Sequence, residues 1–191
     1  MAGRWAWLAL SVPVLAAGVV AGVVLVGDGS EDADPVELRS DAPVYATLVE
    51  LIAASDAVII GTVAAVSEGR VLTAPEEPDA GVRTRLVEID VERTLAGATP
   101  EPLVVEEPAA LLDGTPVVVD GMTELTGGDR ALWFLVGGTT ADQPYHAVVG
   151  SQGRYVIDGE ALTASGDDAL SAQLAAGGLG GLVNGVRTAT R

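Results

Sequence analysis

The alternation of apolar and polar positions divides the chain into four stretches. Trp5–Val26 (WAWLALSVPVLAAGVVAGVVLV) runs for 22 residues without a charge. As a helix at 1.5 Å per residue it would reach roughly 33 Å, enough to cross a hydrocarbon core. Gly27–Pro43 (GDGSEDADPVELRSDAP) carries six acids and little apolar pattern, and so reads as a solvated tether. Val44, Leu48, Leu51 and Ile52 then fall on one helical face, which predicts a helix over Pro43–Ser55 with Asp41 or Ser40 as its cap.

Strand patterns follow. Ala57–Val66 (AVIIGTVAAV) is uncharged and rich in Val and Ile, as a buried strand requires, with Gly61 at a bulge or close approach. Ser67–Gly81, with Pro75 and Pro78, reads as a polar loop. Val82–Leu95 alternates, with Val87, Ile89 and Val91 opposite Glu88, Asp90 and Glu92. That is the signature of an antiparallel strand buried on one face. Leu103–Glu106, Pro116–Val119, Ala131–Val136, Tyr145–Val149 and Arg154–Ile157 complete the strand set. Of these, Ala131–Val136 is apolar on both faces and therefore central. Turn residues at Gly97, Asp113–Gly114, Asp120–Gly121, Gly127–Gly128 and Asp158–Gly159 separate these runs at intervals too short for crossover helices, which favours a small antiparallel barrel or sandwich. Asp167–Ala176 predicts a short helix capped by Ser165. Gly177–Arg191 reads as a flexible or loosely packed glycine-rich tail. It matches neither G-x-G-x-x-G, since Val183 stands at the last glycine position, nor a P-loop, since it has no Lys.

Composition sharpens this reading. The 191 residues include 27 Asp or Glu against 10 basic residues, all Arg, for a formal charge of −17. Beyond the apolar segment stand all 27 acids and nine of the Arg. So acidic a chain is a poor partner for nucleic acid, whose phosphates call for clustered cations. With no Cys, disulfides, thiolate metal sites and lipid attachment to cysteine are excluded. Arg4 precedes the apolar segment and Trp5 and Trp7 lie at that end, where interfacial aromatics belong. The expectation is a membrane anchor with the C-terminal domain outside the cytoplasm. A cleaved secretory signal, with Ala16, Ala17 and Ala21 as small residues for cleavage, is the alternative.

Candidate chemistry is sparse. His146 is the single histidine, so any Ser–His mechanism must use it, with Asp142 behind it and Ser151 as the nearest hydroxyl; no nucleophile-elbow motif surrounds that serine. A solvated or structural role for His146 is the simpler reading. The acid pairs Glu76–Glu77, Glu106–Glu107 and Asp167–Asp168 suggest a glycosidase's carboxylates. Yet aromatic residues are 4% of the chain, few for a sugar platform, and runs of acids usually form solvated faces. Asp28, Ser30 and Asp32 begin like a calcium loop, but Ala33 and Arg39 occupy its sixth and twelfth positions.

Three segments carry a family resemblance. Ser55-Asp56-Ala57-Val58-Ile59-Ile60-Gly61-Thr62-Val63 resembles the "adaVfvGkV" opening of the netrin / tissue-inhibitor-of-metalloprotease module. Arg93-Thr94-Leu95-Ala96-Gly97 is similar to its "V.rv.kG" segment, and Gly128-Asp129-Arg130-Ala131-Leu132-Trp133-Phe134-Leu135 to its "Ge.ylvf" strand. The chain also resembles uncharacterised anchored or secreted proteins of high-GC Gram-positive bacteria that carry such a module. The resemblance, over residues 45–136, implies a five-stranded OB-like barrel with a helix beside it. The module's disulfides are absent, as is the N-terminal cysteine through which the inhibitors reach a protease zinc, so that inhibition does not carry over.

The expected organisation is a transmembrane anchor or signal sequence over 1–26 and an acidic linker over 27–43. A mainly β, small antiparallel OB-like barrel with a flanking helix follows over 44–165, then a short helix and Gly-rich tail over 166–191. The expected function is a non-catalytic, membrane-anchored, extracytoplasmic binding or interaction domain with an envelope protein as partner. It takes no cofactor and no metal, and no catalytic or binding residue is assigned. A calcium-stabilised structural or adhesive envelope domain and an extracytoplasmic hydrolase are the alternatives.

Overall fold

The computed structural model describes residues 34–74, 77–137 and 145–191, and it is mainly β. The apolar segment Trp5–Val26 and the first acids of the linker lie outside the described residues. The linker's far end is ordered: β1 (Val36–Leu38) pairs in parallel with β5 (Val117–Val119), and Leu38 is 1% exposed. Reading 27–43 as tether throughout is thus corrected. Its scattered Val36 and Leu38 are a short strand with one inward side chain, too brief to show periodicity.

Helix α1 (Leu48–Ala53) is shorter than the expected Pro43–Ser55 and is not capped by Asp41 or Ser40. Thr47 caps it in a reciprocal box: its hydroxyl accepts the Glu50 N–H at 3.2 Å, while the Glu50 carboxylate accepts the Thr47 N–H at 3.0 Å. Ser40 is engaged elsewhere, donating its N–H to Asp120 Oδ1 at 3.0 Å and its hydroxyl to Asp120 Oδ2.

Two long strands, β2 (Ala57–Ala74) and β3 (Glu77–Gly97), pair antiparallel from Ala57↔Gly97 outward. Ser67–Gly81 is therefore largely a ladder and not a loop. Its residues on β2 are mostly exposed on both faces, so no apolar alternation marks them as strand. At the ladder's foot Gly97 has φ +70°, and a Cβ there would overlap the Asp56 carbonyl. At Gly61 a Cβ would stand 2.6 Å from Ile89 Cγ2 and 2.7 Å from the Asp90 carbonyl, the close approach its sequence position suggested.

Strands β4 (Leu103–Leu111), β6 (Arg130–Gly137) and β7 (His146–Val148) join these two. Pairings run β2–β3–β4–β7–β6 and back to β2, antiparallel everywhere except β4–β7, so the ladder returns on itself. Within this ring Ile59, Val87, Ile89, Val105, Trp133 and Leu135 form one apolar core. Strand β6 is buried on both faces, as its sequence predicts. Trp133 and Leu135 point into that core, while Leu132 and Phe134 join a second core under the helices.

The second core rests on the C-terminal third of the chain. A 3₁₀ turn (Ser151–Gly153) leads to β8 (Arg154–Asp158), which extends the sheet from β6, and then to β9 (Ala161–Ala164), a strand the sequence did not signal. Asp168, not Ser165, caps α2 (Ala169–Ala176) by accepting the Leu170 and Ser171 N–H groups. Gly178–Ala189 forms a third helix, α3, which overturns the flexible-tail reading. Its glycines disfavour helix intrinsically, but Leu179, Leu182, Val183 and Val186 are buried against Leu51, Val58 and Tyr155, and that packing holds it.

Candidate functional site

The candidate site forms where β3, β4 and β8 bring three charged side chains to one place. Arg85 of β3 faces Glu107 of β4, its register partner, and Arg154 of β8 approaches the same carboxylate from the far side. Glu107 is 5% exposed and Arg154 0%. Both carboxylate oxygens are used: Oε1 accepts from Arg154 Nη1 at 2.8 Å, and Oε2 accepts from Arg85 Nη2 at 2.8 Å and Nε at 3.2 Å. Arg154 Nη2 also donates to the Thr123 carbonyl, whereas its Nε has no hydrogen-bond partner. Burial pulls the Arg154 guanidinium below its ordinary pKa, and the adjacent Glu107 charge opposes that. An arginine remains a cation under such pressure, so the buried trio bears two positive charges and one negative.

A hollow of about 320 Å³ opens beside this trio. Arg85 and Glu107 form its polar wall, and Pro108, Pro116, Val117 and Met122 are prominent on its apolar side. Glu124 stands at the rim with its side chain 72% exposed, and its Oε1 meets Arg85 Nη1 at 2.7 Å. Arg85 itself is 11% exposed at the side chain, so its cation is held inside with one edge turned to the opening.

The residues weighed from sequence are dispersed. His146 is 4% exposed, and burial lowers its pKa, with the Asp56 charge acting the other way. The hydrogen bonds of the described residues do not join it to Ser151, and Asp142 lies outside them. Of the two simple roles expected for His146, solvated or structural, its burial fits the structural one. Glu106 accepts from Arg70 at 2.9 Å and from the Thr84 hydroxyl at 2.8 Å, so Glu106 and its neighbour Glu107 are ion-pair members and not a solvated face. Asp168 caps α2 and also accepts from Gln152 at 2.6 Å and from the Ser171 hydroxyl at 2.6 Å. Burial of Asp168 acts to raise its pKa, but the Ser171, Gln152 and Leu170 donors outweigh it and hold it low. Beside them the Tyr155 hydroxyl is buried without a well-aligned partner, and burial pushes its pKa up to about 12. Glu76 lies outside the described residues.

Sequence reasoning missed the Arg85–Glu107–Arg154 trio. One signal was present: Arg154 opens a strand whose next residues are apolar, and a cation there needs a buried partner. Elsewhere, an apolar groove of about 360 Å³ runs between Thr47 and Leu48 of the α1 end and Leu174, Gly181 and Gly185 of α2 and α3. Among the described residues no three His, Asp or Glu side chains gather in a way that could hold a metal ion, and no helix is long and apolar enough to cross a membrane. No protein-family model and no curated protein matches the chain.

Proposed function

We propose that the chain is a membrane-anchored, extracytoplasmic interaction domain built on an OB-like barrel, and that the hollow beside Arg85 is its binding site. The ring of five pairings, with one parallel contact and α1 against it, supports the barrel reading and fits the architecture implied by the netrin-module resemblance. The uncharged run Trp5–Val26 behind Arg4 supports the anchor. The observation that carries the binding reading is the setting of Arg85: Glu107, shared with the buried Arg154, holds it from inside, while its outer edge faces an open hollow with mainly apolar walls and Glu124 at the rim. Sites for small ligands have this character, with a few fixed polar groups set in apolar walls.

The test follows a C-terminally tagged full-length chain in intact cells. A membrane-bound band whose tag is removed by external protease is the expected result. A photo-crosslinking residue at position 118, beside the hollow, should then give an adduct that Arg85→Gln abolishes. A tag protected from protease would overturn the location, a shorter released product would overturn the anchor, and an adduct indifferent to Arg85 would overturn the site.

A further inference from the structure

We propose that the hollow takes a carboxylate carried beside an apolar side chain, and that the guest carboxylate replaces Glu124 on the Arg85 guanidinium. The inference rests on the reading of the hollow as a binding site and names what occupies it. Two carboxylates touch Arg85, and they are unlike. Glu107 is inside, has both oxygens engaged and bridges two cations, so nothing arriving from solvent can displace it without leaving Arg154 unpaired. Glu124 makes one contact from a side chain that is 72% exposed. Its exposed carboxylate half keeps access to water and must order its own side chain to make the contact, which offsets part of the attraction. Glu124 therefore supplies the fourth charge of the cluster in an exchangeable form.

A guest able to compete must bring the same group. Guanidinium and carboxylate match in shape and charge, and the free edge of Arg85 already accommodates one such contact at 2.7 Å. What a guest can add over Glu124 is burial. Pro108, Pro116, Val117 and Met122 line the space next to Arg85, and a branched aliphatic group on the guest would cover them. A guest without charge would leave Arg85 on Glu124 and gain only the apolar part. Two sources share this chemistry: the C-terminus of a peptide ending in an aliphatic residue, and a free branched carboxylic acid.

The chain has two methionines, Met1 and Met122, and the second is on the wall of the hollow. Methyl-¹³C-methionine labelling of the full-length chain in detergent micelles therefore places a reporter on the wall of the site, and Met122→Leu assigns its resonance. Titration with N-acetylvaline should shift the Met122 signal to saturation, while uncharged N-acetylvalinamide should not. Glu124→Gln removes the competitor from an exposed position and should tighten N-acetylvaline by about two- to fivefold; Arg85→Gln should abolish the shift. Isovalerate separates the sources. Binding as tight as N-acetylvaline marks a free acid, and weaker binding marks a peptide end. A Met122 signal unmoved by millimolar N-acetylvaline in both the natural chain and Glu124→Gln, or moved equally by the amide, would overturn the proposal. That result is separable from failure of the cellular test, since a correctly placed domain can reject carboxylates and a misplaced one can bind them.

Discussion

At the scale of single residues, burial decides what each charge does. Glu107 bridges two guanidinium groups, and removing it leaves the fully buried Arg154 without a carboxylate and Arg85 with Glu124 alone. Glu107→Ala should cost about 3–5 kcal/mol in a denaturant titration, the range for breaking a buried pair from one side. Glu92 and Arg130 form an equally short pair at 2.7 Å, but both side chains are more than a third exposed, so Arg130→Ala should cost under about 1 kcal/mol. Similar costs for the two would mean that the trio is more hydrated than its burial indicates. His146 gives a pH signature of its own, because the chain has one histidine. Burial favours its neutral form in the fold, so above the unfolded value near 6.5 it leaves stability unaffected. As pH falls below that value the unfolded chain takes up a proton that the fold resists, and stability should fall until the lower, folded pKa is reached. Denaturant midpoints between pH 7.5 and 5 should show this decline, and His146→Gln should flatten it. Little of this was legible in the sequence. Glu106-Glu107 reads as a pair of solvated acids until β3 and β8 are known to deliver arginines to it, and those contacts lie 22 and 47 positions away.

At the scale of elements, legibility followed burial pattern. Strands with one or two covered faces, such as β6 and the inner part of β3, announce themselves in alternation or in an uninterrupted apolar run. The outer reach of β2 does not, because its residues from Ala64 to Thr73 are mostly exposed on both sides, and solvent there selects no period. There the ladder has register shifts between Val63 and Ala65 and between Glu68 and Val71, and β2 beyond Val63 has no second neighbour among the described residues. Bulges and charges such as Glu68 and Arg70 on an open edge discourage pairing with another chain. Helix α3 failed to announce itself for a different reason. Its glycines outweigh its apolar positions in any local reading, yet Gly185 is what lets Leu48 come close: a Cβ there would stand 2.7 Å from Leu48 Cδ2. Because α3 owes its stability to packing, Leu182→Ala should cost about 2–5 kcal/mol and unfold the whole domain in one transition. A separate early loss of helix signal, with the sheet intact, would show α3 to be an independent appendage.

At the scale of the whole molecule, the dominant fact is a formal charge of −17 on a chain with ten cations. Among the described residues Arg39, Arg70, Arg85, Arg130 and Arg154 sit in ion pairs with Glu37, Glu106, Glu107, Glu124 and Glu92, but over the whole chain 10 cations cannot offset 27 acids. Their mutual repulsion opposes the compact state and reaches about 30 Å at 0.01 M salt but about 8 Å at 0.15 M. Raising sodium chloride across that range should therefore raise the melting temperature by several degrees. Calcium separates two accounts of the same acids. If they act as a diffuse field, calcium and magnesium at equal concentration are interchangeable, and each should raise the melting temperature equally. If acids instead build a cage for the larger ion, calcium alone should add a saturating increment, since such oxygen-ligand sites discriminate by cavity size and ligand number. The described residues favour the first account, because their acids nowhere gather in threes with a metal-holding geometry. Equal calcium and magnesium curves are thus the expected result. A calcium-specific rise would move the protein's function toward a cation-stabilised envelope domain.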